Sequence, residues 1–252
     1  MFPDGATLVF GATGGIGRVV AAEFAKAGSN IAIMWRSKKD VAEELKREIE
    51  KSGRKASLHQ CDVTKDGDIE RAIDEAIDHH GRVHTMVWGA GPLVEQVLMA
   101  DTTREQWRTA IDVEVHGFFE ASQTMIRHMR DAGGSIVHLG SAGDLSWPEK
   151  DVLSVAPKAA NESLIKAIAR EEGKNNIRAN SVLVGVIEAG MFLELSKQGV
   201  FDEAWTTEVH KNLALKRWGQ PEEVAAAAIF LASDKAGYVT GQQIAVAGGY
   251  GL

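Results

Sequence analysis

Short apolar runs rich in β-branched residues alternate with longer segments of helical period along the whole chain. Examples of these runs are TLVFGA at 7–12, NIAIMW at 30–35 and IRANSVLVGV at 177–186. A strand that is apolar at every position has to be buried on both faces, and the intervening helices can cover those faces. The alternation therefore predicts an α/β fold, with a doubly wound parallel sheet of about seven strands and helices on both faces.

No linker rich in proline or glycine interrupts the alternation, so residues 1–252 are expected to form a single domain. The stretch 188–217 departs from the pattern, because it is helical in character and follows the sixth predicted strand. Parallel sheets bind ligands beyond the carboxyl ends of their strands, so an insertion there can cover a ligand. We interpret 188–217 as a substrate lid, with an ordinary surface helix as the alternative.

The composition argues against several classes of partner. A net charge of −7 disfavours nucleic-acid binding, which needs a basic surface, and no apolar run is long enough to span a membrane. The single cysteine, Cys61, excludes an intramolecular disulfide and suits the cytoplasm, and no histidine spacing resembles a zinc site. We expect a cytoplasmic protein that binds a small-molecule substrate and no metal ion.

The segment VFGATGGIG follows the first predicted strand and opens the first predicted helix. Gly11, Gly15 and Gly17 allow a tight turn, a close approach of the backbone to phosphate and a close helix–strand contact. The N-terminus of the helix then offers free N–H groups and a positive dipole to a pyrophosphate. We therefore predict a Rossmann-like dinucleotide site here, to which Thr13 and Ile16 of the same loop also contribute.

The end of the second predicted strand indicates which dinucleotide binds. A carboxylate at this position selects NAD by bonding the ribose 2′-hydroxyl, but the chain has Trp35 there, followed by Arg36, Ser37 and two lysines. A cation beside a hydroxyl suits a 2′-phosphate, which arginine can bind with two hydrogen bonds. We predict NADP, contacted by Arg36 and Ser37, with NAD as the alternative; Lys38 and Lys39 are also compatible with a solvated helix start.

Several segments together resemble one known family over essentially the whole chain. They are GATGGIG (11–17), CDVT (61–64), WGAG (88–91), GSIVHLGSAG (134–143), IRANSV (177–182) and GQPEEVAAAAIFLASDKAGYVTGQQIAVAGG (219–249). The chain resembles the short-chain dehydrogenases/reductases, and within them the 3-oxoacyl-carrier-protein reductases and glucose dehydrogenases. The resemblance implies a nicotinamide enzyme that is a homotetramer or homodimer. It also implies that Asp62 and Val63 flank the adenine, that Gly89, Ala90 and Gly91 line the cofactor, and that Ile187 faces the carboxamide.

The catalytic residues of that family are matched only in part. The family uses asparagine, serine, tyrosine and lysine, and the resemblance assigns the serine to Ser141 and the lysine, which also contacts the cofactor, to Lys158. The tyrosine position is occupied by Ser154 and the asparagine position by Glu114. Trp88 and Val184 replace two further residues that are usual in the family, the first asparagine of NNAG and the proline of PG.

The loss of tyrosine bears directly on proton transfer. A serine hydroxyl is far less acidic than a phenol of pKa ~10, so Ser154 cannot simply take over the role of acid. Positioned donors can still stabilise a growing oxyanion, and the candidates are Ser141, Ser154 and Lys158, with Glu114 or His116 passing protons through water. The resemblance to the 2,4-dienoyl-CoA reductase branch, which also has Ser-x-x-x-Lys, is partial, because its additional tyrosine and asparagine positions correspond to Gly143 and His116.

Pro157 leaves two placements open for Ser154. Proline is comfortable at the first position of a helix and costs about 3 kcal/mol in the interior. If the helix begins near Pro157, Ser154 lies in the preceding loop; if the helix runs through both, Ser154 and Lys158 share a face.

Other side chains support narrower expectations. We expect His138 on the fifth strand to be a hydrogen-bonded core residue, and Trp107, Trp147 and Trp205 to line an apolar pocket.

Three functional hypotheses follow from these residues. The leading one is an NADP(H)-dependent oxidoreductase with altered proton delivery, acting on a carbonyl, an alcohol or a conjugated enoyl-type compound. The second is a protein that binds NADP without a redox step. The third is a lyase or isomerase on the same scaffold, with Glu114 or His116 as the base.

Overall fold

A computed structural model describes all 252 residues and contains one sheet of seven parallel strands in the order β3-β2-β1-β4-β5-β6-β7. The strands are β1 (Ala6–Phe10), β2 (Asn30–Trp35), β3 (Ala56–Gln60), β4 (Val83–Trp88), β5 (Gly134–Ser141), β6 (Ile177–Val184) and β7 (Gln243–Val246). The predicted fold class and strand number are confirmed. The order reverses between β1 and β4, so the crevice for a ligand opens at the carboxyl ends of these two strands.

Nine α-helices surround the sheet, and none of them is long and apolar enough to cross a membrane. They are α1 (Gly15–Lys26), α2 (Lys39–Lys51), α3 (Asp68–His80), α4 (Arg104–Ile111), α5 (Gly117–Met129), α6 (Val152–Glu172), α7 (Gly190–Lys197), α8 (Glu203–Lys211) and α9 (Pro221–Ala232). Helices α7 and α8 lie within the stretch 188–217.

Two apolar cores lie on the two faces of the sheet, as a doubly wound fold requires. One core joins the sheet to α1, α2 and α9 through side chains such as Phe24, Leu45 and Leu231. The other joins it to α3, α5 and α6 through side chains such as Phe118 and Ile165. The central strands β1 and β4 are therefore buried along their whole length, which explains their continuous apolar runs, whereas the edge strand β7 is partly exposed.

Helix α6 begins before its proline, so the interpretation that it starts near Pro157 is wrong. The carbonyl of Asp151 accepts hydrogen bonds from the N–H groups of Ser154 and Val155 at 3.1 and 2.9 Å, which closes the first turn. Pro157 then lies inside the helix and is buried. Burial of this apolar face offsets the hydrogen bond that proline cannot donate. Ser154 is therefore helical and shares a face with Lys158.

The long helical stretch predicted between α4 and α5 is interrupted by one wide turn at Asp112–His116. In this π-type turn the Gly117 N–H reaches back five residues to the Asp112 carbonyl. Such a turn adds a residue to the helix and changes the direction of the side chains within it. Glu114 lies in the middle of this turn and is buried.

Candidate active site

The loop after β1 can be formed only with glycine at particular positions. Gly11 has a φ of +77°, and a Cβ atom there would lie 2.3 Å from the carbonyl oxygen of Gly89, at the end of β4. A Cβ atom on Gly17 would lie 2.2 Å from the carbonyl oxygen of Gly11. The loop therefore packs backbone against backbone, as a turn does when it has to come close to a phosphate.

The first N–H groups of α1 have no acceptor within the chain. Gly14 caps the helix without a side-chain hydrogen bond, and no hydrogen bond is made by the N–H groups of Gly15, Ile16 and Gly17. Thr13, in the same loop, is half-buried. Free N–H groups at a helix N-terminus bind anions, so these residues fit the pyrophosphate of a dinucleotide.

The N-terminus of α7 lies against this loop. A Cβ atom on Gly15 would be 2.3 Å from the backbone nitrogen of Gly190. The stretch 188–217 thus starts directly over the predicted phosphate site. Ile187, just before it, is buried and forms an isolated β-bridge with Gly219.

The end of β2 presents a cation that has no hydrogen-bond or ion-pair partner, although its charge helps to lower the pKa of Asp62. Arg36 is exposed and its guanidinium makes no hydrogen bond or ion pair, although its carbonyl accepts from Gln60 Nε2 at 3.0 Å. Ser37 is exposed beside it. Across β3, Asp62 accepts hydrogen bonds from the backbone and hydroxyl of Thr64 at 3.2 and 2.8 Å. A 2′-phosphate would meet a free arginine here.

Glu114 and Lys158 form a buried ion pair. The Lys158 ammonium donates to Glu114 Oε1; the side-chain exposures are 16% for the lysine and 2% for the glutamate. Asn161 Nδ2 donates to the backbone carbonyl of Glu114 at 2.9 Å, so α6 holds the wide turn at two points. A Cβ atom on Gly91 would lie 2.5 Å from Glu114 Oε1, which brings the predicted cofactor segment 89–91 to the pair.

Two serine hydroxyls at the end of β5 and in the first turn of α6 are not fully engaged in hydrogen bonds. Ser141 ends β5, and its Oγ accepts a hydrogen bond from the Gly143 N–H at 3.1 Å, so its own proton remains free. Ser154 is largely buried, yet its Oγ has no hydrogen-bond partner and is reached by solvent. A Cβ on Gly143 would lie 2.5 Å from a methyl group of Val155, so the end of β5 lies directly against the first turn of α6.

Behind the pair lies a buried polar network. His138 Nδ1 lies 2.9 Å from Glu162 Oε1, which also accepts from the Ser181 hydroxyl at 2.6 Å, while Glu162 Oε2 accepts from Gln243 Nε2 at 2.8 Å. Burial alone would raise the pKa of Glu162, but these hydrogen bonds outweigh it and hold the pKa low. His138 Nε2 lies 3.4 Å from Asn161 Nδ2, which connects the network to Glu114. The expectation that His138 is a hydrogen-bonded core residue is confirmed.

Not every residue singled out in the sequence joins this group. His116 is exposed and paired with Asp112 at 3.1 Å, so it does not contact the Glu114–Lys158 pair. Trp88 is fully buried against Phe10 and Phe118, and its ring fills the space over Gly117. The indole therefore belongs to the core.

A cavity of about 890 Å³ lies beside the cleft. It is lined by the loop 145–150, by α8 and by the C-terminus, and includes Trp147, Trp205 and Tyr250. Trp107 is not part of this lining, and Ser141, Ser154, Lys158 and Glu114 do not line it either. Phe192, Phe201, Trp205 and Trp218 stack on one another, with ring centroids 4.0–6.2 Å apart. Of these four rings, Phe201 and Trp205, both within 188–217, line the cavity.

Sequence reasoning missed Asn161 and Asp151. Asn161 holds the carbonyl of Glu114, and its signal was a polar residue three positions after Lys158 on the same helix. Asp151 precedes Lys158 by seven residues, which is two helical turns, and its Oδ1 accepts from Gln96 Nε2 at 3.0 Å. Both positions can be found by following the face of α6 that carries Lys158.

Comparison with known proteins identifies the family. A family model described as Enoyl-(Acyl carrier protein) reductase matches residues 11–251. The 3-oxoacyl-[acyl-carrier-protein] reductase FabG of Staphylococcus epidermidis is 33% identical over 243 residues, which are 96% of this chain and 97% of that protein. The chain belongs to the short-chain dehydrogenase/reductase family. It is accordingly an oxidoreductase of the α/β class.

Two solved structures show how closely this member follows the family fold. A short-chain type dehydrogenase/reductase from Mycobacterium ulcerans superposes with a TM-score of 0.91 at 30% identity, covering 98% of this chain and 90% of that one. A blue fluorescent protein from a metagenomic library, in complex with NADPH, superposes with a TM-score of 0.89 at 28% identity, covering 98% of both chains. This short-chain dehydrogenase/reductase therefore shares the fold of both structures over nearly its whole length.

Proposed function

We propose that this protein is an NADP(H)-dependent oxidoreductase with a non-standard active site, which interconverts a carbonyl and an alcohol or reduces a conjugated enoyl-type double bond. The observation that carries the proposal is the convergence of two groups at one edge of the sheet. The free N–H groups of α1 and the Glu114–Lys158 pair both meet the segment 89–91, the first through Gly11 against Gly89 and the second at Gly91.

The preference for NADP over NAD rests on Arg36. Its guanidinium is free, whereas Trp35, at the end of β2, offers no carboxylate to a ribose hydroxyl. Arginine can donate two parallel hydrogen bonds to a phosphate, and Ser37 adds a hydroxyl donor. The proposed contacts to the remainder of the cofactor are the glycine loop, Asp62 and Val63 at the adenine, 89–91, Ile187 and Lys158.

The chain's own groups would stabilise the charge that develops on the substrate. Bound NADPH supplies a hydride; the Ser141 hydroxyl and the Lys158 ammonium then donate to the oxygen that gains negative charge. Lys158 has three N–H donors, of which Glu114 takes one, so two remain for the nicotinamide ribose and the substrate. The Ser154 hydroxyl is a further donor in the position of the family's phenol.

The substrate is proposed to be apolar and to be covered by 188–217. The aromatic stack of Phe192, Phe201, Trp205 and Trp218 supports this, because a flat or acyl chain substrate would bury apolar area against these rings. Gly190 packs against Gly15 at the predicted phosphate site, so a bound pyrophosphate would have to share the space beside Gly15 with the start of α7. This contact supports a lid that moves when the cofactor binds.

The functional unit is proposed to be a homotetramer or homodimer. Trp107 on α4 and Phe119 on α5 are 39% and 50% exposed, and large apolar side chains on neighbouring helices suit burial against a second copy. Sedimentation analysis of the purified protein tests this; a monomer at micromolar concentration would contradict it.

The central experiment measures NADPH oxidation with a panel of aldehydes, ketones and enones, and compares Lys158→Met with Lys166→Met. Lys166 is exposed on the same helix, so its substitution controls for changes in helix stability and net charge. We expect turnover in the wild type and in Lys166→Met, and a loss of about 100-fold in Lys158→Met. Equal rates in the two variants would contradict the role of Lys158.

A protein that binds NADP without turnover is the second candidate, and one observation favours it. The carboxylate of Glu114 neutralises Lys158, and no phenol stands within the first turn of α6. Tight NADPH binding together with no oxidation across the panel would support this candidate. Turnover without any added cofactor, abolished by Glu114→Gln, would instead indicate a lyase or isomerase.

A further inference from the structure

We propose that Asp151 is the proton donor that this active site uses in place of the missing tyrosine phenol. The inference rests on the proposed carbonyl reduction and names the group that completes it. It starts from Asp151, the residue before α6, and from Ser154 and Lys158, which share one face of that helix.

The spacing of these residues aligns them. Positions i, i+3 and i+7 of a helix fall on one stripe, because seven residues make nearly two full turns. The hydrogen bond from the Ser154 N–H to the Asp151 carbonyl shows that the turn is closed at its first residue. Asp151 thus begins a stripe that continues through Ser154, at the family's tyrosine position, to Lys158. The charge of Lys158 acts on the carboxyl of Asp151.

The carboxyl of Asp151 does not act as a helix cap. Although Asp151 occupies the residue before α6, its side chain makes no hydrogen bond to the N–H groups of the helix. Oδ1 instead accepts from Gln96 Nε2 at 3.0 Å, and a β-bridge joins Asp151 to Val97 in the same loop. That loop follows Gly91, so the carboxyl is attached to the segment that contacts the Glu114–Lys158 pair.

The other carboxyl oxygen is available. Asp151 Oδ2 has no hydrogen-bond partner in the chain and is reached by solvent. Lys150, immediately before it, has a φ of +64°, a conformation that costs energy for a residue with a side chain. The chain thus enters α6 with Oδ1 of Asp151 held by Gln96 and Oδ2 facing solvent.

The surroundings keep a proton on this carboxyl more readily than on an ordinary aspartate. Burial raises the pKa of Asp151, and this outweighs the opposing effects of the Gln96 hydrogen bond and of Lys158. Of the groups that act on it, the amide of Gln96 on the loop is neutral and Lys158 on α6 is the charged one. A carboxyl that holds its proton to higher pH is a better general acid near neutrality.

The proposed step is balanced. The carbonyl carbon accepts the hydride of the reduced nicotinamide, the electron pair of the C=O π bond moves to oxygen, and the oxygen takes the proton of Asp151. The product is the alcohol, the nicotinamide is oxidised, and the Asp151 carboxylate is reprotonated by water at its open oxygen. Ser141 and Lys158 donate hydrogen bonds to the same oxygen during the step.

Asp151→Asn is the informative variant, because an amide oxygen can still accept from Gln96 but the side chain has no acidic proton. We expect kcat for carbonyl reduction to fall by about 100-fold or more, with the affinity for NADPH unchanged. In the wild type, kcat should fall as the pH rises through the pKa of Asp151, and this limb should vanish in Asp151→Asn. Asp151→Glu should recover part of the rate, and Asp131→Asn, in the exposed turn after α5, should match the wild type.

A second readout needs no turnover. In carbon NMR with labelled aspartate, the resonance that Asp151→Asn removes should titrate above the ordinary value of about 3.9. A resonance that titrates at or below that value would overturn the inference. So would an unchanged kcat in Asp151→Asn, or a lowered kcat with the pH limb retained. Wild-type protein that reduces enones but no carbonyl would overturn this inference and leave the proposed function standing. Wild-type protein that binds NADPH and reduces neither class of compound would contradict the proposed function as well.

Discussion

The Lys158 ammonium donates a hydrogen bond to the buried carboxylate of Glu114. The carboxylate reaches the lysine because the wide turn at 112–116 directs Glu114 inward and Asn161 holds its backbone carbonyl. A buried charge without a partner is costly, so each member of this pair keeps the other in place. Lys158 is therefore anchored by a neighbouring helix, independently of any tyrosine.

Because the pair is buried, its members should be energetically coupled. We expect Glu114→Gln and Lys158→Met each to lower the free energy of unfolding, and the double variant to lose about 2 kcal/mol less than the sum. Urea unfolding of the four proteins measures this coupling. If the effects of the two single variants add up to that of the double variant within about 0.5 kcal/mol, the interaction between Glu114 and Lys158 contributes nothing measurable to stability.

The glycine loop offers a steric test. Gly17→Ala should destabilise the protein by about 3 kcal/mol and abolish NADPH binding, since the new methyl group would meet the Gly11 carbonyl oxygen at 2.2 Å. Gly173→Ala is the matched control, because no atom lies within 4 Å of its Cβ position and its φ is −55°. Thermal unfolding and fluorescence titration should separate the two. Equal stability in both would contradict the packing described for the loop.

Arg36 should determine the choice of cofactor. Arg36→Ala removes charge-assisted hydrogen bonds worth about 1.5–3 kcal/mol, so the Kd for NADPH should rise roughly 10- to 100-fold. The Kd for NADH, which has no 2′-phosphate, should stay the same. Lys39→Ala is the control, because Lys39 is exposed and lies 3.7 Å from Glu43. If Arg36→Ala and Lys39→Ala raise the Kd for NADPH to the same extent, the effect is one of net charge alone and Arg36 does not select the cofactor.

Much of the fold could be predicted because its signals are local. Strand β2 has the predicted bounds, 30–35, since its four central residues are buried within the sheet and polar residues follow it. The start of α6 was left open, because the cost of Pro157 inside a helix is local whereas the burial that offsets it comes from distant residues.

The sequence singles out candidate residues and does not reveal the contacts between them. Glu114 and Lys158 were both singled out, but their pairing depends on one extra residue in the turn 112–116, and the sequence DVEVH carries no marker for it. Asn161 and Asp151 were missed for the same reason, since a polar residue on a helix gains meaning only when its neighbours from other elements are known.

His84 should make stability depend on pH. Burial lowers its pKa to about 4, below the ordinary 6.5, so protons bind the unfolded chain first. Its contribution to the free energy of unfolding is therefore complete above pH 6.5 and is lost as the pH falls towards 4. The loss amounts to about 2 kcal/mol at pH 5.

Unfolding in urea at several pH values checks the His84 prediction. His84→Gln should lose about 2 kcal/mol less than the wild type between pH 7.5 and pH 5, whereas the exposed His116→Gln should follow the wild type. Parallel pH profiles for His84→Gln and the wild type would contradict the assignment to His84.

The most direct test of the account is a calorimetric titration of the purified protein with NADPH and with NADH. The free N–H groups of α1 and the free guanidinium of Arg36 predict saturable binding of both dinucleotides, with NADPH bound at least 10-fold more tightly, by about 1.4 kcal/mol or more. Absence of binding by either dinucleotide, in its oxidised or reduced form, would contradict it.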